Sequence, residues 1–173
     1  MTVYPPAFHI AQAVGLTGAA WLSGNISTYS AASIPAILES TRSGTMTPTS
    51  AAQIWRAMYE RGKAQNPPIA AVTAVALGYL SWAVRAGSRL APLVRGGAGI
   101  LYGAAAVLTV GIVPWTIVGM SATNGKLLEV ADGKGKGREK EVEGLLERWR
   151  VLNAVRAALP LLGGVVGFWA SLP

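Results

Sequence analysis

The chain has 173 residues, of which 51% are hydrophobic and 13% charged, the charged share being about half that of an average soluble domain. Fifteen Lys and Arg stand against eight Asp and Glu, a formal net charge of +7. They lie mostly between apolar stretches with no aromatic-studded basic face, which excludes a nucleic-acid reader and suits anionic lipid headgroups. The absence of cysteine excludes disulfides, thiolate metal sites and a cysteine nucleophile, and the single histidine, His9, is too few for a histidine metal centre.

Residues 1–7 lack the positive region of a secretory signal, so no cleavage is expected there. The first predicted helix covers about 8–38 and carries no formal charge over its apolar part, about 8–27. Along it His9, Gln12, Leu16, Ala19, Ser23, Ile26, Ser30 and Ser33 recur at the spacing of a packing seam. A Ser/Thr/Gly-rich stretch at 40–50 leads into a short amphipathic helix bearing Trp55, Met58 and Tyr59. A second spanning helix is predicted at about 67–84, with Pro67 and Pro68 in its first turn. After a short basic connection a third follows at about 97–120, where Pro114 should kink or break it near its end. A flexible basic loop at about 131–140 resembles a phosphate-binding loop only superficially, since it follows no strand and lacks the Gly-Lys-Ser/Thr ending.

The fourth helix, at about 149–172, places Trp149, Asn153, Arg156, Pro160, Gly163 and Gly167 at alternating spacings of four and three. They therefore share one face, with the two glycines available for close helix contact. The expected fold is all-α: residues 1–173 form a single membrane domain, an integral four-helix bundle with the amphipathic helix in its first cytoplasmic connection. The first and third connections hold most of the Lys and Arg, so the positive-inside rule puts them in the cytoplasm and both termini on the other side. In a eukaryote an endoplasmic-reticulum-type membrane is the expected location.

This topology gathers the unusual polar residues at one end. Asn25 and Ser27 arrive on the first helix, Trp55, Tyr59 and Lys63 on the connection, Thr116, Thr123 and Asn124 on and after the third, and Trp149, Asn153 and Arg156 on the fourth. Arg156 lies about two turns inside its helix, where a charge is expensive. It either belongs to a site or snorkels to the headgroups on its long stem. Carboxylates are confined to the connections, which argues against proton-coupled transport. A transporter is further disfavoured by the lack of an inverted repeat. His9 lies about 24 Å from Asn25 along the helix, away from this cluster.

The runs Pro114-Trp115-Thr116 with Thr123-Asn124, Trp149 with Leu152-Asn153, Arg156 and Pro160, Ser23-Gly24-Asn25-Ile26-Ser27, and Trp55 with Tyr59, Gly62 and Lys63 together resemble the anthrone oxygenase-like family of small membrane proteins. The similarity extends over nearly the whole chain. It implies oxidation of a polyketide anthrone by molecular oxygen to an anthraquinone, with no metal or organic cofactor; the partners are then an aromatic polyketide, oxygen and the bilayer. On that reading Arg156, Lys63, Tyr59 and Asn153 are the catalytic candidates. Asn25, Ser27, Trp55, Thr116, Thr123, Asn124 and Trp149 are the substrate-binding ones. The rival reading is a non-catalytic membrane scaffold or accessory protein of a biosynthetic pathway, which needs no such pocket.

Overall fold

The computed structural model describes residues 4–134 and 139–172, and all its regular elements are helical. In chain order these are α1 (Pro6–Thr28), a π-helical turn (Tyr29–Ser33), α2 (Ile34–Arg42), α3 (Pro48–Ala83), a short 3-10 turn (Ala91–Leu93), α4 (Ala98–Val110), α5 (Ile112–Gly119), α6 (Ser121–Ala131) and α7 (Glu139–Ser171). Part of the basic loop expected at about 131–140, namely 135–138, lies outside the described residues.

Several boundaries differ from expectation. The amphipathic helix and the second predicted span are one helix, α3, so Pro67 and Pro68 sit inside it rather than in a first turn. Neither proline can donate to the carbonyl four residues back, at Lys63 and Ala64, but the flanking helical bonds hold the helix through this gap. Pro114 acts as expected. It cannot donate to the Val110 carbonyl, and the helix is interrupted at Gly111, between α4 and α5. The segment after it forms an additional helix, α6. The glutamate-rich stretch expected as connection is the first turns of α7, which begins ten residues before 149. Two segments, Ala98–Gly119 and Lys140–Ser171, are long and apolar enough to cross a membrane. The expected spans at 8–27 and 67–84 are helical without belonging to that set, α1 being diluted by glycine and by His9, Gln12 and Asn25.

The chain divides into two compact units. One comprises Met1–Ser23, Asn66–Ile112 and Ala158–Pro173, the other Gly24–Gln65 and Val113–Ala157. In the first, Phe8, Leu77, Leu80, Tyr102 and Ala105 form the core. Small residues draw the helices together: a Cβ on Gly163 would stand 2.7 Å from Thr109 Oγ1 and 2.9 Å from the Ala105 carbonyl. Thr73 and Thr109 are buried and return their hydroxyls to carbonyls of their own helices, at Ile69 and Ala105. The outward positions are apolar, among them Ile10, Val72, Val75, Ile100, Val107, Val165 and Phe168. Thr73 and Thr109 therefore face in, beside Leu77 and Leu80, while many other aliphatic residues face out.

The buried seam of the N-terminal helix is set by Phe8, Ala11, Ala19, Leu22, Ile26 and Ser30, whereas His9 is exposed. The expected seam is therefore right at Ala19, Ser23, Ile26 and Ser30, and one residue out of phase at His9, Gln12 and Leu16 and again at Ser33, where Ile34 is the buried residue. The second unit has its own core, in which Ile34, Ile37 and Leu38 meet Trp55, Met120, Leu127, Leu146 and Trp149.

The glycines give a test. Gly163→Ala should lower stability by about 1–3 kcal/mol through overpacking. Gly24→Ala, where an added Cβ meets nothing within 4 Å, should raise it by about 0.5–1 kcal/mol. Thermal unfolding in detergent reads both, and an unchanged midpoint for Gly163→Ala would remove the close-contact reading.

Candidate functional site

Nearly all the polar residues singled out above lie in the second unit, and the face of α7 supplies its axis. Val142, Leu146, Trp149, Asn153 and Arg156 are all buried, at the alternating four and three spacing that keeps one stripe inward. Asn153 is fully buried. Its Nδ2 donates to the Ile26 carbonyl at 2.9 Å and to Ser30 Oγ at 2.8 Å, joining α7 to the end of α1 and to the π-helical turn. Arg156, one turn further, is 6% exposed, and its Nη1 donates to Thr116 Oγ1 at 3.3 Å on α5. Tyr59 and Tyr29 are within electrostatic reach of this guanidinium.

The aromatic side of the site is built from α3 and α7. The Trp55 ring is fully buried and stacks on Tyr59 at 5.1 Å between centroids and 11° between planes, while Trp149 meets Trp55 edge-on at 5.9 Å. Trp149 Nε1 donates to Asn124 Oδ1 at 3.0 Å. Trp115 Nε1 donates to the Leu152 carbonyl, fastening α5 to α7. Arg56 on α3 pairs with Asp132 and with the Leu128 carbonyl at the end of α6; its guanidinium holds the Asp132 carboxyl below its ordinary range.

Among the described residues of this unit, three polar atoms are buried without a protein hydrogen-bond partner: Trp55 Nε1, Arg156 Nε and Asn153 Oδ1. Two are donors and one an acceptor. A buried polar atom left unmatched costs about 1–3 kcal/mol, so each such group calls for an explanation in strain, a water molecule or a ligand. They belong to residues already fixed by stacking, by Thr116 and by Ser30, so their directions are set in advance. Such preorganised donors are what stabilises charge developing on a substrate oxygen. No cluster of three or more metal-ligating side chains occurs among the described residues.

The structure treats the other sequence candidates differently. Asn124 and Trp149 are spent on each other. Ser27 returns its hydroxyl to the Gly24 carbonyl of its own helix at 3.0 Å. Thr123 is buried beside Asn124, and Asn25 is half-buried. Lys63 is exposed, its ammonium 5.9 Å from the Tyr59 ring centroid, outside the group of buried polar atoms. Ser30, on the expected seam, and Tyr29 were not among the site candidates; they lie in the π-helical turn, which hydrophobic periodicity does not reveal.

Replacing Asn124 by Ala should leave the Trp149 indole N–H buried without its acceptor and cost about 1–3 kcal/mol. A Trp149→Phe background should suppress most of that loss. A double-mutant cycle on thermal stability checks this, and additive effects would rule out the coupling.

The family model described as anthrone oxygenase matches residues 55–166. The anthrone oxygenase encC of Aspergillus fumigatus is 38% identical, with 92% of this chain and 91% of that protein covered. The anthrone oxygenase tpcL of the same species is 32% identical over 91% of each chain. A noranthrone monooxygenase of Aspergillus flavus is 33% identical over 88% of this chain and 68% of its own length. No solved structure matches. With a family model spanning most of the chain, and relatives above 30% identity along nearly all of it, this protein belongs to the anthrone oxygenase family.

Proposed function

We propose that this protein oxidises a polyketide anthrone with molecular oxygen to the anthraquinone, and that the reaction takes place beside Arg156, Asn153 and Trp55. The observation that carries the placement is the trio of buried, preoriented and unpartnered atoms on those residues. An anthrone carries an acidic methylene opposite its carbonyl. Removing one methylene proton gives an enolate whose charge sits largely on oxygen. Arg156 Nε–H and Trp55 Nε1–H are the donors for that oxygen, and Asn153 Oδ1 accepts from a phenol O–H of the substrate. Tyr59, stacked on Trp55 and within electrostatic reach of Arg156, is the acid–base group. Lys63 extends the positive field from the outer side of Tyr59.

The remaining chemistry belongs to substrate and oxygen. The enolate passes one electron to oxygen, and the carbon radical and superoxide combine to a peroxide anion. Protonation gives a hydroperoxide, which loses the second methylene hydrogen together with hydroxide as water. The balance is one anthrone and one oxygen giving one anthraquinone and one water. The protein's part is to bind a flat apolar ring system, hold the enolate and exclude bulk water.

The same reading makes the chain one membrane domain with four spanning segments. The apolar outward positions support it, because α1 and the second half of α3 expose Ile10, Val14, Trp21, Val72, Val75 and Trp82 even though their average composition is modest. The first and third connections then face the cytoplasm, in an endoplasmic-reticulum-type membrane. Tags at the two termini should be reached by antibody only after the internal membrane is permeabilised; labelling of both from the cytosol would reverse the orientation.

For the chemistry, purified protein in detergent should accelerate oxygen uptake by a tricyclic anthrone above the spontaneous rate. Arg156→Leu should lower kcat by about 10²–10³, the usual effect of losing an oxyanion donor. Arg156→Lys should recover little, since the charge survives but the donor fork does not. Tyr59→Phe keeps the stack on Trp55 and should still lose about 10²-fold or more if the hydroxyl moves the proton. Full turnover in Arg156→Leu would move the site elsewhere. No acceleration by the wild type would favour the scaffold reading.

A further inference from the structure

We propose that the first unit holds a phospholipid in the cleft between the C-terminal end of α3 and the start of α4, with Arg85 and Arg95 on its phosphate and one acyl chain along Val84, Val94 and Ile100. The cleft measures about 530 Å³, and Ser81 forms its floor beside these residues. It is built tightly: Ser81 Oγ donates to the Gly99 carbonyl at 2.7 Å, and a Cβ on Gly99 would stand 3.3 Å from the Ser81 carbonyl. Tyr4 donates to the Leu93 carbonyl and so ties the connection between α3 and α4 to the N-terminal segment.

The charge balance selects the ligand. Within 1–23, 66–112 and 158–173 the sequence contains Arg85, Arg89 and Arg95 and no Asp or Glu, so no acidic side chain of this unit neutralises them. Arg85 lies over the Trp82 ring at 4.4 Å and gives one Nη1 hydrogen to the Trp82 carbonyl; Arg95 lies over Trp169 at 4.8 Å. A stacked guanidinium uses its flat face and keeps its edge donors, which match phosphate oxygens. Trp82 and Trp169 are 59% and 54% exposed, and such tryptophans sit at the headgroup level of membranes. A phosphate satisfies the arginine edges, and the apolar lining takes the hydrocarbon attached to it. Free phosphate would leave that lining uncovered.

This site rests on the membrane reading of the first unit and not on the oxygenase reading. Full-length protein purified in mild detergent is incubated with dioleoylphosphatidylglycerol, with dioleoylglycerol as the chain-matched uncharged probe, or with inorganic phosphate, and bound molecules are counted by native mass spectrometry. The wild type should retain phosphatidylglycerol and neither of the others. Arg85→Gln/Arg95→Gln should lose about tenfold or more of the bound lipid, while an Arg61→Gln/Lys126→Gln control, which removes the same charge, keeps it. Unchanged thermal unfolding and unchanged anthrone oxidation in the double variant would assign the loss to the cleft. Equal retention of dioleoylglycerol, retention of inorganic phosphate in place of lipid, or undiminished lipid in the double variant would each overturn the site. Carbonate extraction of membranes separates the two readings: wild type that resists extraction while the double variant binds lipid normally leaves the membrane reading standing and removes only the cleft. Wild type that washes off removes both.

Discussion

The amide of Asn153 is the contact on which the second unit depends. Its two hydrogens go to the Ile26 carbonyl and the Ser30 hydroxyl, so one buried side chain fixes the inward face of α7 against the π-helical turn. A buried amide needs partners. The Ile26 carbonyl near the end of α1 and the Ser30 hydroxyl in the π-helical turn provide them. Once α7 is held there, Trp149 meets Trp55 and Asn124, and Arg156 meets Thr116. The site is thus assembled by polar contacts between helices, while Leu127, Leu146, Ile34 and Met120 supply the bulk beneath it.

The two units use opposite means of association. In the first, the helices approach through glycine and alanine, and buried threonines satisfy themselves on their own backbones. That arrangement brings backbones close beside the core of Phe8, Leu77, Leu80 and Tyr102, while many other aliphatic residues stay on the outside. In the second, ion pairs and amide contacts between helices are frequent, including Arg42 with Glu143 and Arg56 with Asp132. Dispersion and close approach organise the apolar unit, and directional hydrogen bonds organise the polar one.

Within that unit the residues divide by what their polar atoms already do. Asn124 and Trp149 bind each other, and Trp149 meets Trp55 edge-on. Trp55, Asn153 and Arg156 each keep one atom in reserve. Two of these atoms are donors and one is an acceptor.

The sequence by itself determined a good part of this. Alternating spacings of four and three on the last helix fixed the inward positions of Trp149, Asn153, Arg156 and Gly163, because side-chain direction in a long helix follows from residue number alone. Low charge and the apolar segments pointed to an all-α fold, and the family motifs pointed to the chemistry. Tertiary structure decided the rest. Periodicity could not detect the π-helical turn, the continuity of α3 through Pro67 and Pro68, or the helix α6, since neighbouring contacts override local propensity at such places. It also could not say which polar atoms remain unpaired, and so could not separate Asn153 and Arg156 from Asn124, Ser27 and Lys63. A hydrogen bond depends on what another part of the chain brings within 3 Å, and sequence spacing carries no information about that.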